Sequence, residues 1–168
     1  MIGALEIAAP AFADERGNGA SAGIALAALA AGALTGALVY GSRAWPGSLV
    51  TQYLALLAAF ALLLVPVQAA GSVAGLSLML VLAGLAMGPV TAAQFGLIDG
   101  VAPPGTATEA LTWIISAFTA GVALGTVTGG LLHEAYDARA ALALTAVAAA
   151  AELFVVLAAR RRLSAHPV

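Results

Sequence analysis

The sequence has no cysteine and no lysine, and charge of either sign is scarce. Without cysteine there is neither a disulfide framework nor a thiolate site. All six basic residues are arginine and the net charge is −2. Nothing in that balance attracts a polyanion, so nucleic acid is excluded as a partner. The two histidines, His133 and His166, fall in a turn and in the tail. They do not make a transition-metal site. No nucleophile–base pair, metal constellation or phosphate loop is present, so the chain does not read as an enzyme and no cofactor is expected. No stretch alternates polar and apolar residues, which excludes membrane-spanning strands.

What the chain has instead is apolar surface. Of its 168 residues 62% are hydrophobic and 8% are charged. A soluble domain is roughly half apolar and about a quarter charged. Six arginines and eight carboxylates cannot cover such a surface in water, so the remaining solvent is the lipid bilayer. The expected class is an all-α membrane protein in a single domain, 1–168.

Six apolar runs are separated by charges, prolines and glycines, at about 1–13, 20–40, 48–66, 73–98, 109–132 and 138–159, with a polar tail at 160–168. At 1.5 Å per residue a helix needs roughly 20 residues to cross about 30 Å of hydrocarbon, and runs two to six are that long. In lipid the backbone must satisfy its own hydrogen bonds, so the runs are helical. The first run, at about 20 Å, is too short to span. It lacks the basic start and small-residue cleavage site of a signal peptide. It reads as the second part of a spanning helix whose beginning is missing. Arg43 and Arg160 to Arg162 fall on one side of the membrane, and Arg16 and Arg139 on the other. This bias places the C-terminus in the cytoplasm.

The runs differ in polarity. The third and sixth are apolar on nearly every face and read as peripheral. The second, fourth and fifth carry glycine, serine, threonine and glutamine and read as inner helices. On the fifth, Thr112, Ser116, Thr119, Ala123 and Thr126 fall within about 40° of one line. Gly121, Gly125 and Gly129 follow a G-x-x-x-G-x-x-x-G pattern on the other side, a spacing that lets a second helix approach closely. The hydroxyl stripe then faces a cavity, or alternatively each hydroxyl bonds back to its own i−4 carbonyl. On the fourth, Ser77, Gly84, Gly88, Thr91 and Phe95 share a face with Gln94 beside it, and Pro89 removes one helical hydrogen bond.

Acids inside a membrane are costly and mark function or an exit to water. Glu6 is a candidate for binding a proton or cation, or else lies near the surface. Glu152, two turns before Arg160, reads as part of a helix extended past the membrane or as an arginine partner. Glu109 complements the N-terminus of the fifth helix.

The segment Gly36-Ala-Leu-Val-Tyr40-Gly41-Ser42-Arg43 resembles the second-half form of the loop motif of the major facilitator superfamily, Gly-x-x-x-Asp-(Arg/Lys)-x-Gly-Arg-(Arg/Lys). Gly36 stands at its first glycine and Tyr40 at its acid, while Gly41 and Arg43 stand for its basic end. Gly121 to Gly130 is similar to that family's glycine-rich fifth-helix motif, with Thr126 in place of the proline. Val101 to Trp113 is similar to the loop before the eleventh helix of bacterial drug-efflux-like members.

The resemblance covers the whole chain, as helices seven to twelve of twelve, with the first incomplete. It implies the C-terminal six-helix half of a secondary transporter in a bacterial inner membrane, moving a small organic molecule by alternating access, with the proton gradient as coupling source. The implied partners are the N-terminal six-helix half or a second membrane chain. Glu6, Thr91, Gln94, Thr112, Trp113, Ser116 and Thr119 are the candidate substrate pathway. Gly84, Gly88, Pro89, Gly121, Gly125 and Gly129 are the candidate packing positions. The alternative is a non-transporting helical module or vestige that acts through helix association.

Overall fold

The computed structural model describes residues 2–16, 21–103 and 105–163; for Asp99, Val101 and residues 160–163 it describes the backbone alone. The polar tail beyond 163, and the side chains of Arg160 to Arg162 that weigh most in the orientation argument, lie outside the described residues. Within them the chain is all-helical. Its elements are α1 (Ile2–Asp14), α2 (Ala22–Gly41), α3 (Leu49–Leu64), a 3-10 turn (Pro66–Ala69), α4 (Val73–Val101), α5 (Ala107–Ala135) and α6 (Ala138–Leu163).

Local chemistry places the ends. Ser48 and Ser72 sit in extended conformation before α3 and α4, and their hydroxyls accept from the amides of Thr51 and Gly75. Each satisfies one of the donors that a helix start leaves over. Gly47 reverses the chain before α3 with φ +89°, a conformation that side chains with a Cβ resist. Pro66 cannot continue the α-helical ladder and opens the 3-10 turn. The Asp137 carboxylate accepts from the Ala140 amide at 2.8 Å and starts α6. His133, expected in a turn, is in the last turn of α5, which runs to Ala135.

Five helical segments, 22–41, 49–69, 73–98, 107–135 and 138–159, are long and apolar enough to cross a membrane. Length and composition together make this a multi-pass membrane protein.

The closest packing is between α2 and α4, and it is made by glycine. A side chain at Gly32 would strike the Val81 carbonyl, and one at Gly36 the Leu85 carbonyl. From the other helix, one at Gly84 would strike the Leu29 carbonyl, and one at Gly88 the Ala33 carbonyl. Residue numbers rise together on the two helices, so they run parallel. Two G-x-x-x-G pairs, Gly32 with Gly36 and Gly84 with Gly88, thus face each other in register. Gly36 is therefore a packing residue within α2, beyond the loop role that its motif implied. Its neighbour has a specific origin. Pro89 has no N–H, so the Leu85 carbonyl loses its i+4 partner, and that freed oxygen is the atom against which Gly36 lies. A Cα–H donor at this distance compensates part of the loss. α4 continues unbroken through Pro89.

A second, smaller contact of the same kind joins α1 to α5. Gly3 lies against the Val122 carbonyl, while Gly125 and Gly129 lie against the backbone of Ala4. The Thr126 hydroxyl reaches the Gly3 carbonyl at 3.4 Å. Thr126 thereby leaves the hydroxyl stripe and belongs to the packing face.

Remaining contacts place α3 against α4 and α6 against α1, with α3 also touching α6. The buried core runs through Phe12 of α1, Leu57, Phe60 and Leu64 of α3, Leu76 and Leu80 of α4 and Leu142 of α6. Burial within this chain does not follow the division into inner polar helices and outer apolar ones. α1 and α4 hold the middle, α3 buries a full face, and among the described residues of α5 only Gly129 is fully buried. In lipid an apolar face gains nothing by leaving solvent, so close packing of small residues decides who is inside.

Candidate functional site

A cavity of about 140 Å³ lies between α4, α5 and α6 at the start of α1. Its polar lining is Thr91 and Gln94 from α4 and Glu152 from α6; Ile2, Phe118, Gly121 and Val122 are among its apolar walls. Two of the predicted pathway residues, Thr91 and Gln94, meet here. They stand next to an acid to which the sequence reading gives a different place.

Glu152 lies within the apolar span of α6, and the side chain of Arg160, near which the sequence reading set it, lies outside the described residues. Glu152 is half-buried, and its Oε1 accepts from the Tyr53 hydroxyl of α3 at 3.2 Å. Tyr53 itself is only 6% exposed. Glu152 lies seven residues before Ala159, the end of the apolar span, which is about 10 Å inside it. A charged side chain at that depth carries a penalty of about 3 kcal/mol at the helix centre, and a polar cavity with a hydroxyl donor reduces it. Tyr53 looks like one more apolar-face aromatic on a helix that reads as lipid-facing, so no signal in either helix alone pairs it with Glu152.

The other candidates do not converge. Glu6 is exposed on α1 and is not part of the cavity lining. Thr112, Trp113, Ser116 and Thr119 are exposed on the outer face of α5, with Trp113 at 71%. Their hydroxyls turn back on their own helix: Thr112 to the Thr108 carbonyl, Ser116 to that of Thr112 and Thr119 to that of Ile115, each at 2.8 Å. Thr91 does the same with Met87 at 3.1 Å. Each donor is satisfied locally, so the stripe can face lipid or a partner at low cost. Gly121, expected at a helix contact, has nothing within 4 Å of where a Cβ would stand and lines the cavity instead. Glu109 is exposed in the first turn of α5.

The α2–α3 loop forms a second feature, a cavity of about 500 Å³ lined by Gly36, Tyr40, Trp45, Gln52, Leu85 and Pro89 among others. Tyr40 donates to Gln52 Oε1 at 2.6 Å, Gln52 Nε2 donates to the carbonyls of Trp45 and Gly47 at 3.1 Å, and Trp45 Nε1 donates to the Tyr40 carbonyl at 2.9 Å. The Tyr40 and Trp45 rings stack with centroids 5.9 Å apart. These polar groups satisfy one another, and the loop is tied down without the charge that the family motif carries at position 40. Gly41 and Arg43 are exposed beside it.

No protein-family model, curated protein or solved structure matches this chain.

Proposed function

We propose that this chain is one six-helix half, the C-terminal one, of a proton-coupled secondary transporter of the major facilitator type, moving a small organic molecule by alternating access in a bacterial inner membrane. One observation carries the reading: the helix pairings repeat. The strongest contact of the first three helices with the last three is α2 on α4, and its counterpart is α5 on α1. In the same way α3 on α4 is matched by α6 on α1. Exchanging α1 with α4, α2 with α5 and α3 with α6 maps these pairs onto one another, whereas the contact of α5 with α6 has no counterpart of its size between α2 and α3. Both principal pairs are parallel and built on glycine. Three spans per unit invert the second unit relative to the first, the arrangement in which transporters place a site at the interface of repeats.

The outer face of α5, with its aromatic Trp113 and Phe118 and its hydroxyls, then supplies part of one wall of the substrate pathway. The opposite wall comes from a second set of helices, which is the partner this reading requires.

The test is reconstitution in liposomes, of the chain by itself and together with the polypeptide encoded immediately upstream. The expected result is saturable movement of a fluorescent aromatic cation, driven by a pH gradient, when both polypeptides are present and associated, and none with this chain alone. Uptake by this polypeptide alone, or none by an associated pair, overturns the reading.

A further inference from the structure

We propose that Glu152 is a proton-binding site inside the membrane, held by Tyr53 and reached through the cavity that Thr91 and Gln94 line. The acid sits within the apolar span of α6, and its hydroxyl partner comes from a helix 99 residues away in sequence. At 3.2 Å the bond is longer than the usual O–H···O range and therefore weak. It positions the carboxyl without occupying both of its oxygens, so the group keeps the freedom to take up a proton.

The cavity supplies the route. Water enters a buried space only when the space is polar and large enough, at about 30 Å³ per molecule. A cavity of about 140 Å³ with a carboxyl, an amide and a hydroxyl in its lining meets both conditions. Thr91 is exposed and marks its mouth. The larger cavity at the α2–α3 loop has no carboxyl in its lining.

Among the described residues, the helices packed on α6 present few titratable groups to Glu152. α3 presents Tyr53. Glu6 of α1 is exposed and outside the cavity lining, and Glu109 lies more than two turns before the first α5 residue of the cavity, Phe118. The proton goes on and off one carboxyl oxygen, with the cavity water as donor and acceptor. The inference deepens the transport reading, since a carrier driven by the proton gradient needs such a group, and it rests on that reading only for the use made of the proton.

The experiment is infrared difference spectroscopy of the chain in lipid across a pH titration. Expected is a protonated-carboxyl component that grows as pH falls and appears in the parent-minus-variant difference for Glu152→Gln, the other seven carboxyls cancelling. The amide introduced by that substitution still accepts from Tyr53, so the thermal stability of the variant should stay near that of the parent and show that the fold persists. Tyr53→Phe leaves the acid in place and should shift the midpoint of the band. A difference between parent and Glu152→Gln that contains no titrating carboxyl component, or an unchanged midpoint of that component in Tyr53→Phe, overturns the proposal. The spectrum needs no transport activity, so its failure and that of the transport reading are told apart.

Discussion

Gly84 of α4 rests on Gly32 of α2: a Cβ built on Gly84 would stand 3.0 Å from the Gly32 Cα, and closer still to the Leu29 carbonyl. The obstacle is backbone on both sides, so no side-chain rotation relieves it. Gly84→Leu should therefore drive α2 from α4 and lower stability by about 3 kcal/mol or more, the upper end for overpacking. Gly23, also on α2, has open space around it, and Gly23→Leu should be close to neutral. Unfolding of both variants in mixed micelles by denaturing detergent measures the difference. Equal losses would show that α2 and α4 are not held by this contact.

The two faces of α5 should respond differently. At Gly125 a Cβ would stand 3.1 Å from the Ala4 amide nitrogen, and Gly125→Leu should weaken the bundle by about 1–3 kcal/mol. Ser116 is exposed and bonds only its own helix, so Ser116→Leu should leave the melting temperature in detergent unchanged. If the chain transports as proposed, the same Ser116→Leu should reduce transport by the paired polypeptides. Unfolding by Ser116→Leu with a silent Gly125→Leu would reverse the faces.

Gln52 ties three points of the α2–α3 loop. Gln52→Leu removes all three bonds. A net value of about 1 kcal/mol for each, reduced by exposure to water, predicts a loss of about 1–2 kcal/mol. Trp45 fluorescence should shift towards that of a water-exposed indole, read in a Trp113→Phe background, and the 42–48 segment should become a protease site. A loop that keeps its emission and resists cleavage would show that the stacked Tyr40 and Trp45 rings hold it alone.

Glu15 joins the end of α1 to the start of α6. Its Oε1 accepts from the Ala138 amide at 2.7 Å and lies 3.5 Å from His133 Nδ1. Glu15→Ala should lower stability by about 1 kcal/mol, as loss of a helix cap does. Glu15→Gln keeps an acceptor and should recover most of it. Thermal unfolding of the two variants checks this, and equal losses would assign the effect to charge.

A reporter enzyme fused after Val168, active only in the cytoplasm, should be active if the arginine bias sets the orientation. Activity from the opposite compartment would invert the orientation drawn from the arginines.

The helices were legible in the sequence because each depends on local information. Run length, the serines at 48 and 72, Pro66 and the polar turns state where backbone can remain helical in lipid, and neighbours do not alter that. Gly84, Gly88, Gly125 and Gly129 were legible as contact positions for the same reason, since their spacing is a property of one helix. Gly32 carries the same spacing with Gly36, where the loop motif masks it. Which helix each glycine meets, the exposure of α5, and the meeting of Tyr53 with Glu152 across 99 residues came only from the tertiary structure. In water an apolar face announces its own burial. In a membrane it does not, so the sequence determined helices and their small-residue faces, and only the packed bundle decided their partners and brought one acid, one phenol and a cavity together.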